Sequence, residues 1–233
     1  MPLMIKDSRR VMFIHIPKTA GTAIEKSFET SGWNMKFFHA PNRGHGPDRA
    51  PCNPQHWHQG PLRKWAYPDG PVTFEFALVR NPFTRLISEM LWREKSQSAH
   101  INQRGYDQEF FQKLDSFGVR HMQQYIKNEA KFQADKELFY RQKNMLYADN
   151  HFRPQNHFVR AVTNIYKYED LGHTVWNTLQ EKFGLRQLTQ EYTHVDLKKT
   201  RPDRMPSATD RFKELYTELY GPDHQKFNYA LPF

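Results

Sequence analysis

The chain has 233 residues, 38% hydrophobic and 15% aromatic, with 18 Phe, 11 Tyr and 5 Trp, which suits a single folded domain over 1–233 whose core leans on rings. A formal charge of +9 points to a polyanionic partner (nucleic acid, acidic membrane, acidic glycan or nucleotide) or to solubility alone. One cysteine, Cys52, excludes an intrachain disulfide; no apolar stretch approaches the ~18 residues of a membrane span, and residues 1–10 lack a signal-peptide core, so a cytoplasmic protein is expected unless the chain is the trimmed catalytic domain of a longer one.

Taken in order, residues 11–16 predict a buried strand, 22–31 a helix ended by Gly32, and 33–38 a second short strand. Residues 39–70 are rich in His, Pro and Gly and predict a long irregular segment with a helical turn near 62–65. Such loops inside compact domains tend to be functional. Residues 72–79 predict the clearest strand, and 84–95 a helix with Pro82 in its first turn. Further helices are expected at 108–114, 119–130 and 135–145. A strand at 164–168 follows, then helices at 171–183 and 207–220, the last two closed by Gly184 and Gly221. Alternating strands and helices predict an α/β fold with a central parallel sheet.

Two strand-to-helix junctions carry basic residues. The first, Pro17-Lys18-Thr19-Ala20-Gly21-Thr22, offers loop N–H groups, a helix N-terminus, two hydroxyls and a mobile ammonium, the makings of a phosphate site. Its lysine precedes the last glycine, which departs from the usual nucleoside-triphosphate loop. The second runs Arg80-Asn81-Pro82-Phe83-Thr84-Arg85-Leu86-Ile87-Ser88. Arg80 falls at the carboxyl end of a strand, where α/β sheets bind ligands, and a guanidinium grips phosphate bidentately.

Together these segments resemble the sulfotransferase superfamily. The resemblance implies a P-loop-like three-layer α/β fold with a central parallel sheet flanked by helices, a donor, 3′-phosphoadenosine 5′-phosphosulfate (PAPS), and a product, 3′-phosphoadenosine 5′-phosphate (PAP). It places the 5′ end on Lys18, Thr19, Ala20, Gly21, Thr22 and Ala23, and the 3′-phosphate on Arg80 and Ser88. The element His56-Trp57-His58 resembles the His-x-His of uronyl 2-O-sulfotransferases, which implies a histidine base, His58 first and His56 second. His151-Phe152-Arg153-Pro154-Gln155 resembles an element of carbohydrate sulfotransferases, and residues 165–171 resemble a strand-to-helix junction of the superfamily. Residues 198–201 are similar to its basic cofactor-covering loop, which implies donor contacts from Lys199 and Thr200. His151, Arg153 and Trp57 are then expected to meet the acceptor. Residues 96–150 carry no such likeness.

Sulfuryl transfer needs a base for the acceptor hydroxyl and cations for the departing oxygen. A histidine and Lys18 supply these without a metal. The spacing of His39, His45, His56 and His58 beside one cysteine matches no familiar zinc pattern. Glu25 is the rival base, and packing is the alternative for each histidine. The expected partners are a nucleotide donor and a hydroxyl acceptor, carbohydrate or other and possibly acidic, with no nucleic acid and no membrane. The rival functions are a P-loop-like nucleotide phosphotransferase and a non-catalytic basic module that binds polyanions.

Overall fold

The computed structural model describes residues 2–37, 52–66, 70–142, 145–186 and 201–233. Strand alternation sets its layers. In β2 (Arg9–Ile14), Val11 and Phe13 face one side of the sheet, and Met12 and Ile14 the other. In β4 (Phe74–Val79), Phe76 and Leu78 share the first side, and Ala77 and Val79 the second. All eight are buried, so both faces must be covered by other elements.

The sheet order is β3-β1-β2-β4-β5. Strands β2, β4 and β5 (Asn164–Lys167) run parallel, with Phe13 opposite Phe76 and their rings 4.9 Å apart. β1 (Leu3–Lys6) and β3 (Asn34–Lys36) extend the sheet on the other edge, β1 antiparallel to both β2 and β3. The expected α/β architecture with flanking helices is present, and its parallel centre carries an antiparallel hairpin that the prediction lacked.

Helix α1 (Gly21–Thr30) and helix α6 (Trp176–Phe183) cover one face through Ile24, Phe28, Leu179 and Phe183. Trp57, Leu62, Phe132 and Phe158 cover the other. A second core joins α2 (Pro82–Arg93), α4 (Gln108–Ala134) and α7 (Asp210–Phe227) through Phe83, Leu86, Phe110, Leu114, Phe212 and Tyr216. Two shorter helices, α3 (Lys95–Arg104) and α5 (Lys136–Arg141), flank α4.

The helix predictions need four corrections. Residues 108–134 form one helix, not two: Gly118 permits close packing rather than a break, since a Cβ there would lie 2.4 Å from the Phe212 ring. The expected helix at 135–145 stops at Arg141. Helix α7 is capped by Thr209, which accepts from the Phe212 N–H, and runs through Gly221 and Pro222 to Phe227. Buried partners on that last turn explain the continuation: Asp223 accepts from the Gln155 and Asn156 N–H groups, and His224 Nε2 lies 2.7 Å from the Tyr216 hydroxyl. The expected helix at 171–183 begins with a wide turn, Leu171–Val175, before α6. No helix among the described residues is long and apolar enough to cross a membrane.

Candidate active site

Because β2 and β4 are parallel neighbours, the loops after them leave the sheet side by side at its carboxyl edge. The first loop turns through two non-glycine residues in the left-handed region, Lys18 and Ala20, both at φ 69°. That conformation is costly for side-chain-bearing residues and concentrates at functional sites. Thr19 is fully buried and donates its hydroxyl to the Ile16 carbonyl at 2.8 Å, pinning the loop. Ala20 is the N-cap of α1 and has no side-chain cap, so the first N–H groups of the helix, around buried Gly21 and exposed Thr22, lack a capping side chain and can hold an anion. Ala23 is buried on the first turn.

Arg80 joins the two motifs. Its Nη1 donates to the Lys18 carbonyl at 3.3 Å, its Nε donates to Thr84 Oγ1 at 3.0 Å, and its guanidinium lies 4.1 Å from the Tyr168 ring centre. The Gln155 amide fixes the Arg80 backbone, accepting from its N–H at 2.9 Å and donating to its carbonyl at 2.7 Å. Asn81 caps α2 with its side chain, and Glu169 accepts from the Asn81 N–H. Burial holds Arg80 down to about 10, with Arg201 adding to the effect. Burial likewise lowers Lys18 to about 8; Glu89 opposes this, and Arg201, Arg80 and Arg93 add to it. Among the described residues, Arg201 Nη1 is buried without a hydrogen-bond partner. Converging cations that lower one another's proton affinity are the kind of arrangement that can hold an anion.

Helix α2 carries a polar stripe along this edge. Thr84, Ser88 and Trp92 are spaced by four and share one face. Thr84 holds Arg80, and the Trp92 ring centre lies 4.9 Å from Lys18 Nζ, which places Ser88 between the two cations. Arg85 instead turns inward: it is buried and donates to the Arg153 carbonyl at 2.8 Å.

Beside the Lys18 loop stand three histidines, each tied through Nδ1 to a carboxylate. His15 pairs with Glu25 at 2.6 Å, His56 with Asp149 at 2.6 Å and His151 with Glu89 at 2.7 Å. Their rings meet edge to face, His15 to His56 at 5.1 Å and His56 to His151 at 4.9 Å. With Nδ1–H donated to a carboxylate, Nε2 keeps its lone pair and can take a proton. Burial holds His56 below its usual value against the pull of Asp149, and it does the same to His151 against Glu89. Glu25, the rival base, is spent on His15 and on the Gln55 amide at 2.7 Å; these outweigh burial and hold its carboxyl low. Asp149 is presented by three consecutive left-handed residues, Ala148, Asp149 and Asn150, at φ 48°, 56° and 66°. Donor atoms of His56, Asp149 and His151 lie within 4.8 Å of one another, as a metal site would require. The close imidazole–carboxylate hydrogen bond suits acid–base work at least as well.

Sequence reasoning had placed His58 first. It stands apart from this cluster, buried against Phe132 at 5.5 Å, with Asn150 Nδ2 3.3 Å from its Nδ1. It lines a separate cleft of about 320 Å³ with Tyr140 and Arg153. Burial, then Arg153 and His157, hold it well below the usual histidine range. Trp57, expected at the acceptor, is fully buried against Phe37 in the core. Arg153, expected there too, is buried, bonded to Asn150 Oδ1 at 2.9 Å and paired with Glu129 at 2.5 Å. Lys199, Thr200, His39 and His45 lie outside the described residues. His15, Glu89, Trp92 and Asp149 were not picked out from sequence. Their roles depend on contacts across up to 93 positions, and only the position of His15 in the first motif strand hinted at any of them.

Among known proteins, residues 1–230 match a family model described as "Sulfotransferase family". No curated protein and no solved structure matches the chain.

Proposed function

The chain belongs to the sulfotransferase family, and from that premise we propose that it moves a sulfuryl group from PAPS to an acceptor hydroxyl, on a carbohydrate, with His56 as the base. The observation that supports this reading best is the hydrogen bond from Arg80 to the Lys18 carbonyl, which brings the two motif loops together. The cation cluster fits a ligand with phosphates at both ends. The Gly21 end of α1 and Lys18 would take the 5′ side, and Arg80 and Ser88 the 3′-phosphate. Bound there, the donor supplies an electrophilic sulfur and a phosphate leaving group.

The chain's own part is proton and charge management. His56, its proton affinity lowered by burial against the pull of Asp149, which orients the ring, takes the acceptor hydroxyl proton on Nε2 as the oxygen bonds to sulfur. Lys18, in its protonated form, offsets the negative charge left on the departing phosphate oxygen as the sulfur–oxygen bond breaks. The fixed cations do what a metal does in phosphoryl transfer. We place this activity in the cytoplasm, in keeping with one buried free cysteine. The test is turnover of radiolabelled PAPS over a panel of hydroxyl acceptors. Transfer by wild type that falls at least a hundredfold in Lys18→Ala and His56→Ala is expected (roughly the general acid–base contribution). Unchanged transfer in both variants would overturn the assignment.

A further inference from the structure

We propose that Gln155, anchored by Asp223, is a positioning residue that gives the site its preference for a nucleotide bearing a 3′-phosphate; this rests on the sulfotransferase reading, with Arg80 as the ligand of that phosphate. The ladder between β4 and β5 ends at Val79 opposite Lys167. Arg80 is the next residue and is buried, so its backbone N–H and carbonyl need partners beyond that ladder. Gln155 provides both from one side chain. Its Oε1 accepts from the Arg80 N–H at 2.9 Å, and its Nε2 donates to the Arg80 carbonyl at 2.7 Å. A carboxamide carries an acceptor and a donor side by side, so it pairs with the Arg80 peptide groups as a neighbouring strand would. Glutamate cannot donate, and methionine, of similar length, offers no comparable bond.

Gln155 is itself held firmly. It is fully buried, follows Pro154, and its carbonyl accepts from the Phe158 N–H at 3.0 Å. Asp223, also fully buried, stands near the end of α7 and grips this segment with both oxygens: Oδ2 accepts from the Gln155 N–H at 2.6 Å and Oδ1 from the Asn156 N–H at 2.8 Å. From the preceding turn of α7, the Tyr220 hydroxyl donates to the Phe152 carbonyl at 3.0 Å. The Arg80 side chain is therefore fixed at two ends. Lys18 and Thr84 accept from its guanidinium, and Gln155 holds the backbone from which it projects. A bidentate grip on phosphate depends on the direction of the guanidinium, so freeing the backbone end weakens the grip. The Lys18 loop keeps its own anchor in the Thr19 hydroxyl. The last residue of the 151–155 element thereby serves the donor rather than the acceptor.

The test is calorimetry with PAP and with 5′-AMP on wild type, Gln155→Met and Asp223→Asn, with melting temperature followed in parallel. The readout is the ratio of the two affinities within one preparation, which a partly unfolded sample leaves unchanged. Gln155→Met is expected to cut the preference for PAP about tenfold, the scale of a lost buried hydrogen-bond partner, while 5′-AMP binds nearly as it does to wild type. Asp223→Asn keeps one of the two acceptor oxygens and is expected to cut the preference less; it carries the comparison if Gln155→Met does not fold. A preference unchanged in the variants, or equal losses for the two nucleotides, would overturn the proposal and leave Gln155 a residue of the fold alone. A wild type with no preference for PAP would overturn the donor reading on which it rests.

Discussion

Glu89→Gln probes the charge on Lys18. Burial lowers the Lys18 ammonium to about 8, and Glu89 is the largest influence holding it up. Removing a neighbouring opposite charge is worth about a tenfold change in proton affinity, so the variant's Lys18 is expected near 7. The sign follows: the transition state needs the ammonium, and lowering its proton affinity moves the alkaline limb of the rate profile to lower pH. At pH 7.5 the protonated fraction falls from about three quarters to about one quarter (on that same estimate), so the rate drops about threefold, while near pH 6 the two enzymes converge. The assay is PAP release from PAPS across pH. An unmoved alkaline limb would refute the claim that Glu89 sets the charge of Lys18. A loss equal at every pH would assign Glu89 to holding His151 and Arg93 instead.

Four further variants separate neighbouring roles. His56→Ala is expected to lower kcat by roughly 10²–10⁴ with little loss of stability. His58→Ala should cost about 1–3 kcal/mol of stability from its buried site and leave kcat close to wild type; the reverse pattern in rate and melting curves would exchange their roles. Gly21→Ala puts a Cβ 2.1 Å from His15 Nε2, and His15 is held by Glu25, so the loop must shift. A stability loss of about 1–3 kcal/mol and at least tenfold weaker PAP binding are expected, and wild-type affinity would contradict the packing. Arg85→Ala removes a buried cation that bonds the Arg153 carbonyl; a loss of about 3 kcal/mol with PAP affinity retained would confirm that this arginine serves the fold rather than the donor.

The motif loops were legible because strand, turn and helix start are local. Lys18, Gly21 and Arg80 stand where a sheet edge and two helix N-termini must place them. Gly221 was misread for a physical reason: local propensity marks glycine as a stop, whereas the buried bonds of Asp223 and His224 carry the helix past it. β1 escaped notice as four residues whose pairing with β2 and β3 supplies what its length does not. The histidine–carboxylate pairs were invisible for another reason. Nothing near His56 signals that Asp149, held in a left-handed turn, will meet its Nδ1, and nothing near Trp57 signals that it will fill the core and not the surface.

The central claim is that one site reads both phosphates of the donor, and calorimetry with PAP and with 5′-AMP tests it directly. The account predicts that wild type binds PAP one to one and prefers it over 5′-AMP by about a hundredfold (a charge-assisted, partly desolvated contact being worth roughly 2–3 kcal/mol). Arg80→Ala should lose that preference while still binding 5′-AMP weakly through the Lys18 loop. Wild type that binds neither nucleotide, or Arg80→Ala that keeps the full preference for PAP, would contradict it.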